Sequence, residues 1–285
     1  MLLEKIKFLF NKKNKERIDC KRDNKSIILA PDMGIANRIF FMMSSLRIFD
    51  IRDFVLYWPT KGWVTAPFKD LFDFEWDYTI EESEEILIDR NIPQKKPLSL
   101  TNGWRLYIDK KDGLPKNFQK LYENSKHGYS IDLEYNRIPQ HILDIYLPWF
   151  KKLKASEKVL KRINELDLNS DKLVALQVRN NSDWSTAGRK VSLEDFFAEI
   201  DKYPEDYKFY LSAMNIETSS IFKEKYGDRI IELPDKNYHS MIDATADLFI
   251  MALCDDFVVS YLSTFPWLAW WLGQCKATVT LVGKE

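Results

Sequence analysis

Asp247-Leu-Phe-Ile-Met-Ala-Leu-Cys-Asp-Asp-Phe-Val-Val-Ser-Tyr-Leu-Ser263-Thr264-Phe265-Pro-Trp-Leu-Ala-Trp-Trp-Leu-Gly273 is the stretch whose reading decides the fold. An apolar helix carries one acid at its start, Asp247. A short apolar strand follows at Phe257–Ser260, then a polar turn at Ser263 and Thr264, then a second helix rich in Trp. This order places hydroxyls and backbone N–H groups at a helix N-terminus, beyond the carboxyl end of a buried strand. The first helical N–H groups lack intrahelical partners and the helix dipole adds partial positive charge, so such a corner suits an anion. In an open α/β sheet it is also where ligands sit.

The same rhythm extends upstream. Leu173–Val178 reads as a buried strand, and Ser192 caps a helix through Ile200 with Glu194 and Asp195 in its first turn. Lys208–Ser212 is a strand, Thr218–Tyr226 a helix ended by Gly227, and Arg229–Glu232 a strand. A helix starts near Ser240, and Ala277–Val282 closes the chain as a strand. Repeated β-α units imply a parallel sheet with helices on both faces.

The first half opens with a strand at Ser26–Ala30 and a loop to Asn37. A helix over Arg38–Asp50 follows, with Ile39, Met42, Met43, Leu46 and Phe49 on one face, then a strand at Phe54–Tyr57 ended by Trp58-Pro59. This is a parallel crossover unit. Residues 61–136 mix aromatics, proline and charge, with one strand standing out at Glu85–Asp89. Pro139 starts a long helical pattern reaching Ile163, which Pro148 should kink or divide. The most economical architecture is α/β, with two domains facing a cleft. The expected division is a basic extension over residues 1–25, an N-terminal α/β domain over 26–168 on the acceptor side, and a C-terminal Rossmann-like domain over 169–285.

Composition bounds the function. The 285 residues are 45% hydrophobic and 30% charged, which describes a globular chain. A net charge of −1 provides no global basic field and argues against nucleic acid as partner. Cys20, Cys254 and Cys275 make an odd count without paired spacing, pointing to a reducing compartment and to neither a disulfide framework nor a zinc site. The apolar start, Met1–Phe10, is broken by Glu4, Lys5 and Lys7 and is too short for a signal or a membrane span. With the basic run that follows, it reads as a weak amphipathic foot on an anionic membrane surface, or as a mobile or docked terminal helix. The expectation is a cytoplasmic protein, peripheral at the inner membrane face if the first reading holds.

Three clusters sit where strands end. Gly34-Ile-Ala-Asn37-Arg38 follows the first strand, where glycine lets a backbone approach a ligand and Asn and Arg offer donors. A tight β-α turn with an exposed Arg is the competing reading. It is neither a dinucleotide fingerprint nor a P-loop. Gln177-Val-Arg179-Asn-Asn-Ser-Asp183 leaves the strand at Leu173. Its guanidinium fork could clamp a phosphate, or pair with Asp183 at the surface. Asp247–Phe265 is the third, with a capping Ser-Thr and a helix-face Asp as the plainer alternative.

Taken together and in order, these clusters resemble the GT-B fucosyltransferase superfamily, which includes bacterial nodulation-type and α1,2-type fucosyltransferases and protein O-fucosyltransferases. The early G-x-x-(G/A)-N-x motif is similar to Gly34-Ile-Ala-Asn37. The central H-x-R-(R)-x-D motif is similar to Gln177-Val-Arg179-Asn180, with Asp183 displaced by one residue. The last motif, D-L-x-x-(L/M)-x-x-(C/A)-D-x-(F/V)-(I/V)-x-S-x-x-S-(T/S)-F, matches Asp247 through Phe265 closely.

The resemblance implies a GT-B-like pair of Rossmann-like domains and an inverting transferase. It would move fucose or a related sugar from a GDP-sugar to a glycan or lipid-linked glycan hydroxyl, with no metal or other cofactor. Arg179 and Asn37 would be the catalytic residues, Arg179 neutralising the departing diphosphate and Asn37 near the sugar or β-phosphate. Gly34, Arg179, Asp247, Ser263, Thr264 and Phe265 would bind the GDP-sugar, Asp247 through guanine N1–H and the 2-amino group. By position, Asp32, Asp183 and His239 are the candidate bases. The chain departs from the family at Gln177, where His is usual, at Asn180, where a second Arg is usual, and at Ser212-Ala-Met-Asn215, which lacks a common acid. Another nucleotide-sugar, or an inactive nucleotide- or glycan-binding protein of the same fold, is the alternative.

Overall fold

A computed structural model of the chain describes residues 26–29, 33–48, 54–74, 79–81, 94–95, 106–109, 122–123, 128–131, 135, 138–168, 172–179 and 191–283. The chain divides into two compact units, with the division between Ser156 and Glu157.

The first unit is built on a four-stranded parallel sheet. Its strands are β1 (Ser26–Leu29), β2 (Phe54–Tyr57), β4 (Thr79–Glu81) and β5 (Gln94–Lys95), in the order β4-β2-β1-β5. Helix α1 (Ile35–Ile48) joins β1 to β2. Its described side chains are buried almost all round, including Ile39, Phe40 and Met43 at 0% exposure, as expected for a helix without a solvent face. Ser44 and Ser45 hide their hydroxyls by donating to the carbonyls four residues back, at 2.8 Å each.

Two small antiparallel sheets complete this unit. One pairs β3 (Phe72–Phe74), which follows a one-turn helix α2 (Phe68–Leu71), with β9 (Leu153–Ala155). The other has the order β6-β8-β7, from Leu106–Asp109, Gly128–Ile131 and Tyr122–Glu123. It meets α1 through the Tyr107 N–H, which donates to Ser44 Oγ at 3.2 Å. The expected strand at Glu85–Asp89 lies outside the described residues.

The long helical pattern after Pro139 resolves into α3 (Gln140–Lys152), strand β9 and α4 (Glu157–Asn164). Pro148 stands inside α3 and does not divide it. The break falls at Leu153–Ala155, where pairing with β3 replaces helical hydrogen bonds. The division of the chain therefore precedes the expected one at residue 168, and α4 packs on α7 (Met241–Met251) of the second unit.

The second unit follows the sequence closely. Its strands are β10 (Leu173–Val178), β11 (Lys208–Ala213), β12 (Ile230–Ile231), β13 (Asp256–Ser260) and β14 (Thr278–Val282). All pair in parallel, in the order β12-β11-β10-β13-β14. Alternation along the strands separates two faces. Val174, Leu176 and Val178, with Phe209, Leu211 and Val258, pack against Phe196 and Ile200 of α5 (Leu193–Ile200) and Phe222 of α6 (Ile216–Tyr226). The residues between them, including Gln177, Tyr210 and Ser212, face the opposite way. On that side lies α7, which in turn packs against α8 (Thr264–Leu272).

Caps set the helix starts. The hydroxyls of Ser192 and Ser240 and the Asn215 side chain accept N–H groups from the first turns of α5, α7 and α6. Buried Trp267, Trp270 and Trp271 fill the core side of α8.

Helices α7 and α8 approach closely at Gly273, where an added Cβ would stand 2.7 Å from the Ala252 carbonyl oxygen. Gly273→Ala should therefore lower stability by about 1–3 kcal/mol, since backbone must move to admit the methyl group. Gly34→Ala, whose Cβ would meet nothing within 4 Å among the described residues, should cost only the weaker capping of alanine, about 1 kcal/mol or less.

Candidate functional site

Strands β10 and β13 are neighbours, yet the chain leaves them toward opposite faces of the sheet, through α5 and α8 respectively. Their carboxyl ends thus border the crevice in which doubly wound sheets bind ligands. Gln177 and Arg179 stand at the end of β10, and Ser260 ends β13. Ser260 ties the two ends together. Its Oγ accepts the Arg179 backbone N–H at 2.8 Å and donates to the Gln177 carbonyl at 3.3 Å. The position of Arg179 is thereby fixed through its backbone.

Beyond β13 the chain turns over Ser260–Ser263, closed by the Ser263 N–H donating to the Ser260 carbonyl at 3.3 Å. Leu262 carries a φ of +58° in this turn. A non-glycine residue in the left-handed region is strained by about 1–2 kcal/mol. Ser263 then occupies the N-cap of α8, but its side chain does not cap. The residue is 2% exposed and its Oγ has no hydrogen-bond partner among the described residues. An unsatisfied buried hydroxyl costs about 1–3 kcal/mol. Thr264 and Phe265 supply the first-turn N–H groups, and Pro266, next in line, has none. A polar hydroxyl and two helical N–H groups so converge on one corner.

A second orphan is Gln177 Oε1, on a residue 4% exposed and in register with Ser212 of β11. Sequence reasoning placed Gln177, Ser263, Thr264 and Phe265 at this end of the sheet, and the structure brings them to adjoining strand ends.

Asp247 has a different setting from the one the guanine role requires. Its Oδ1 accepts from Tyr210 Oη at 2.6 Å, and its Oδ2 accepts from Ser212 Oγ at 2.8 Å and Lys236 Nζ at 2.7 Å. A carboxylate offers about four lone-pair positions, so at most one stays open, on a residue 3% exposed. Reading guanine takes two acceptors at once. In this arrangement Asp247 is an interior anchor.

Lys236 extends the network. It lies 3.8 Å from Glu232, which also pairs with Lys223 at 2.7 Å and accepts from Ser219 Oγ and, at 3.3 Å, from Tyr238 Oη. The loop from Glu232 to Ser240 is held a second time by Asp243, which takes both Arg162 Nε at 3.0 Å and the Asn237 N–H at 2.8 Å. Burial lifts the Asp247 pKa above the ordinary carboxylate range, with Lys236, Tyr210 and Ser212 opposing. For Lys236, burial works against the ammonium, but Asp247 and Glu232 outweigh it and hold its pKa above the ordinary value of 10.5.

In the first unit, Gly34 caps α1, its carbonyl accepting the Arg38 N–H at 3.2 Å. Asn37 stands in the first turn with a buried, unpartnered Oδ1. Arg38 is not the exposed residue of the competing reading. At 0% exposure, it donates to the carbonyls of Met33 (3.0 Å), Pro59 and Lys61 (3.1 Å). Carbonyl oxygens compensate the buried charge.

Of the candidate bases, Asp32 and Asp183 lie outside the described residues, as does Asn180. His239 is described and exposed, in the loop before α7, where its N–H donates to Asn237 Oδ1 at 3.0 Å. Among the described residues, no group of three or more His, Cys, Asp or Glu is arranged to hold a metal ion, and no helix is long and apolar enough to cross a membrane. Sequence reasoning missed Ser260, Tyr210, Glu232 and Lys236. Strand alternation could have found Tyr210 and Ser212, polar residues on one face of a buried strand. Nothing local marks Lys236, whose partner is eleven residues away.

No family model and no curated protein matches the sequence. Solved structures do share its fold. The chain is similar to fucosyltransferase NodZ from Bradyrhizobium, with a TM-score of 0.51 and 15% identity over 86% of this chain and 92% of that one. It is similar to POFUT1 in complex with GDP, with a TM-score of 0.53 and 13% identity over 93% of this chain and 100% of that one. A variant of Arabidopsis thaliana FUT1 in complex with GDP gives a TM-score of 0.50 and 15% identity over 98% of this chain and 74% of that one. At these identities the likeness is one of fold: an α/β architecture consistent with the GT-B type.

Lys236→Met leaves Asp247 buried without its cation and should cost about 3–5 kcal/mol in urea denaturation. Adding Asp247→Asn should recover part of that loss. Because the folded pKa of Lys236 is raised, its contribution is complete below pH 10.5 and lost as pH rises through the folded value. The gap between wild type and Lys236→Met should therefore narrow in alkali.

Proposed function

We propose that the protein is an inverting glycosyltransferase that moves fucose, or a related sugar, from a GDP-sugar to a glycan hydroxyl. Its fold would be of the GT-B type, with two Rossmann-like units. The observation that carries this reading is the corner at Ser263. Leu262 is strained, Ser263 Oγ is buried without a partner, and two helical N–H groups stand beside them at the switch point of a parallel sheet. A diphosphate supplies the acceptors that would satisfy these donors. The fold shared with fucosyltransferases and the motif resemblance add support.

In the reaction, the bond between the anomeric carbon and the β-phosphate oxygen breaks. The acceptor oxygen forms its bond from the opposite face, and negative charge grows on the departing diphosphate. Arg179, Ser263 Oγ and the Thr264 and Phe265 N–H groups would bind that charge more strongly as it develops. Asn37 and Gly34 would border the sugar. The acceptor proton would pass to a carboxylate, with Asp32 and Asp183 the candidates by position, or to His239. The reaction in this reading uses no metal. Asp247 serves from beneath, anchoring Lys236 and the loop that follows β12. The enzyme would work in the cytoplasm on a glycan or lipid-linked glycan, with residues 1–25 touching the inner membrane face.

Two observations favour alternatives. Asp247 is occupied by Lys236, which favours a donor base other than guanine. Gln177 replaces the family's His with an amide that does not titrate near neutral pH, which favours nucleotide binding without turnover. Calorimetry with GDP and UDP, beside turnover of GDP-fucose, separates them. Arg179→Ala should weaken GDP binding by roughly 10- to 100-fold and Ser263→Ala by roughly tenfold, as expected for lost charge-assisted hydrogen bonds. Equal GDP affinity in wild type and Arg179→Ala would remove the diphosphate reading. Tighter UDP than GDP binding would move the donor to a uridine sugar.

A further inference from the structure

We infer that the Gln177 carboxamide sets specificity for the nucleotide-sugar by binding an N–H or O–H that lies outside the diphosphate, an assignment that rests on the nucleotide-sugar reading. Gln177 is 4% exposed, and its side chain makes no hydrogen bond among the described residues. A carboxamide offers two N–H donors and an oxygen with two lone pairs. Interior amides ordinarily spend these groups.

The neighbours explain why the fold leaves the amide unused. In register, Gln177 lies between Ser212 of β11 and Val259 of β13. The Ser212 hydroxyl gives its one hydrogen to Asp247 Oδ2 at 2.8 Å, so it has none for Gln177 Oε1. The Val259 side chain is apolar and offers no donor.

The amide belongs to the same corner as Ser263. Ser260 Oγ donates to the Gln177 carbonyl at 3.3 Å, and the Ser260 carbonyl accepts the Ser263 N–H at 3.3 Å. Both unspent side chains therefore stand one hydrogen bond from Ser260. The Gln177 side chain faces the side of the sheet where α7 lies, and α7 packs on α8, whose N-terminus Ser263 occupies.

The two groups call for different partners. Ser263 Oγ and the first N–H groups of α8 donate, which suits phosphate oxygens. Oε1 only accepts, and an ionised diphosphate has no proton to give it. A ligand seated with its phosphates at the start of α8 can satisfy Oε1 only through a base N–H or a hydroxyl of the ribose or sugar. A buried group left unpaired by a ligand that lacks its partner discriminates more sharply than an apolar contact does.

The test is calorimetry of wild type, Gln177→Met and Gln177→His with pyrophosphate, GDP and GDP-fucose, beside urea denaturation. Methionine keeps the side-chain length without the amide, and histidine keeps one donor and one acceptor. Pyrophosphate should bind wild type and Gln177→Met equally. Gln177→Met should weaken binding by roughly three- to tenfold, as for one lost hydrogen bond. A loss shared by GDP and GDP-fucose puts the partner on the nucleoside, and a loss for GDP-fucose alone puts it on the sugar. Gln177→His should recover part of the loss. The urea midpoint of Gln177→Met should not fall below that of wild type, because no internal hydrogen bond is removed. An equal loss for all three ligands, no loss for any, or a lower midpoint overturns the inference while GDP binding by wild type still stands. Wild type that binds UDP-glucose but not GDP, with Gln177→Met weakening the uridine ligand, removes the guanosine reading and keeps the role of Gln177. Wild type that binds none of these ligands overturns both.

Discussion

The strand order β12-β11-β10-β13-β14 is the constraint on which the rest depends. It makes β10 and β13 neighbours whose connections run to opposite faces, so nothing from the sheet itself covers the gap between their carboxyl ends. Ser260 stabilises that junction by bonding the backbone on both sides of Val178. Arg179 and the start of α8 are then delivered to the same edge by the two strands they follow. Shifting the β10–β13 register by one residue would exchange Gln177 for Val178 on the α7 face and disperse the group.

The edge combines order with unspent interactions. On one side, Asp247, Lys236, Glu232 and Lys223 balance two carboxylates with two ammoniums, and Tyr210 and Ser212 fill much of the remaining acceptor capacity. Burying one of those charges alone would cost several kcal/mol, so the network holds the β12–α7 loop in one arrangement. On the other side, Leu262, Ser263 and Gln177 each carry a penalty that the fold does not relieve internally. Rigidity beside the Ser263 hydroxyl and the first-turn N–H groups of α8 is the condition for preorganised binding of an anion. In the first unit, Arg38 donates to the carbonyls of Met33 and Lys61, and next to it Asn37 keeps an oxygen without a partner among the described residues.

Much of this was legible from the sequence. In the second unit the apolar runs at Leu173 and Phe257, the caps at Ser192 and Ser240, and the Gly227 stop mark elements within a few residues of their observed ends. These signals are local, and a parallel sheet buried on both faces amplifies them. Residues 61–136 resisted because their described strands are only two to four residues long and are divided among three sheets, with β3 pairing to β9 across about eighty residues. For the same reason Pro148 is the only visible cause of a kink or division in the long helical pattern, whereas the break comes from the β3 pairing at Leu153–Ala155. The site divided along that line too. Ser263 and Arg179 follow from strand ends, whereas the occupation of Asp247 by Lys236 depends on how a loop folds back over a helix.

A crystal structure with GDP tests the central claim most directly. The account predicts diphosphate oxygens within about 3.2 Å of Ser263 Oγ and of the Thr264 and Phe265 N–H groups, with the Arg179 guanidinium on the same phosphates. A diphosphate bound elsewhere, with Ser263 Oγ still unpartnered, would contradict it.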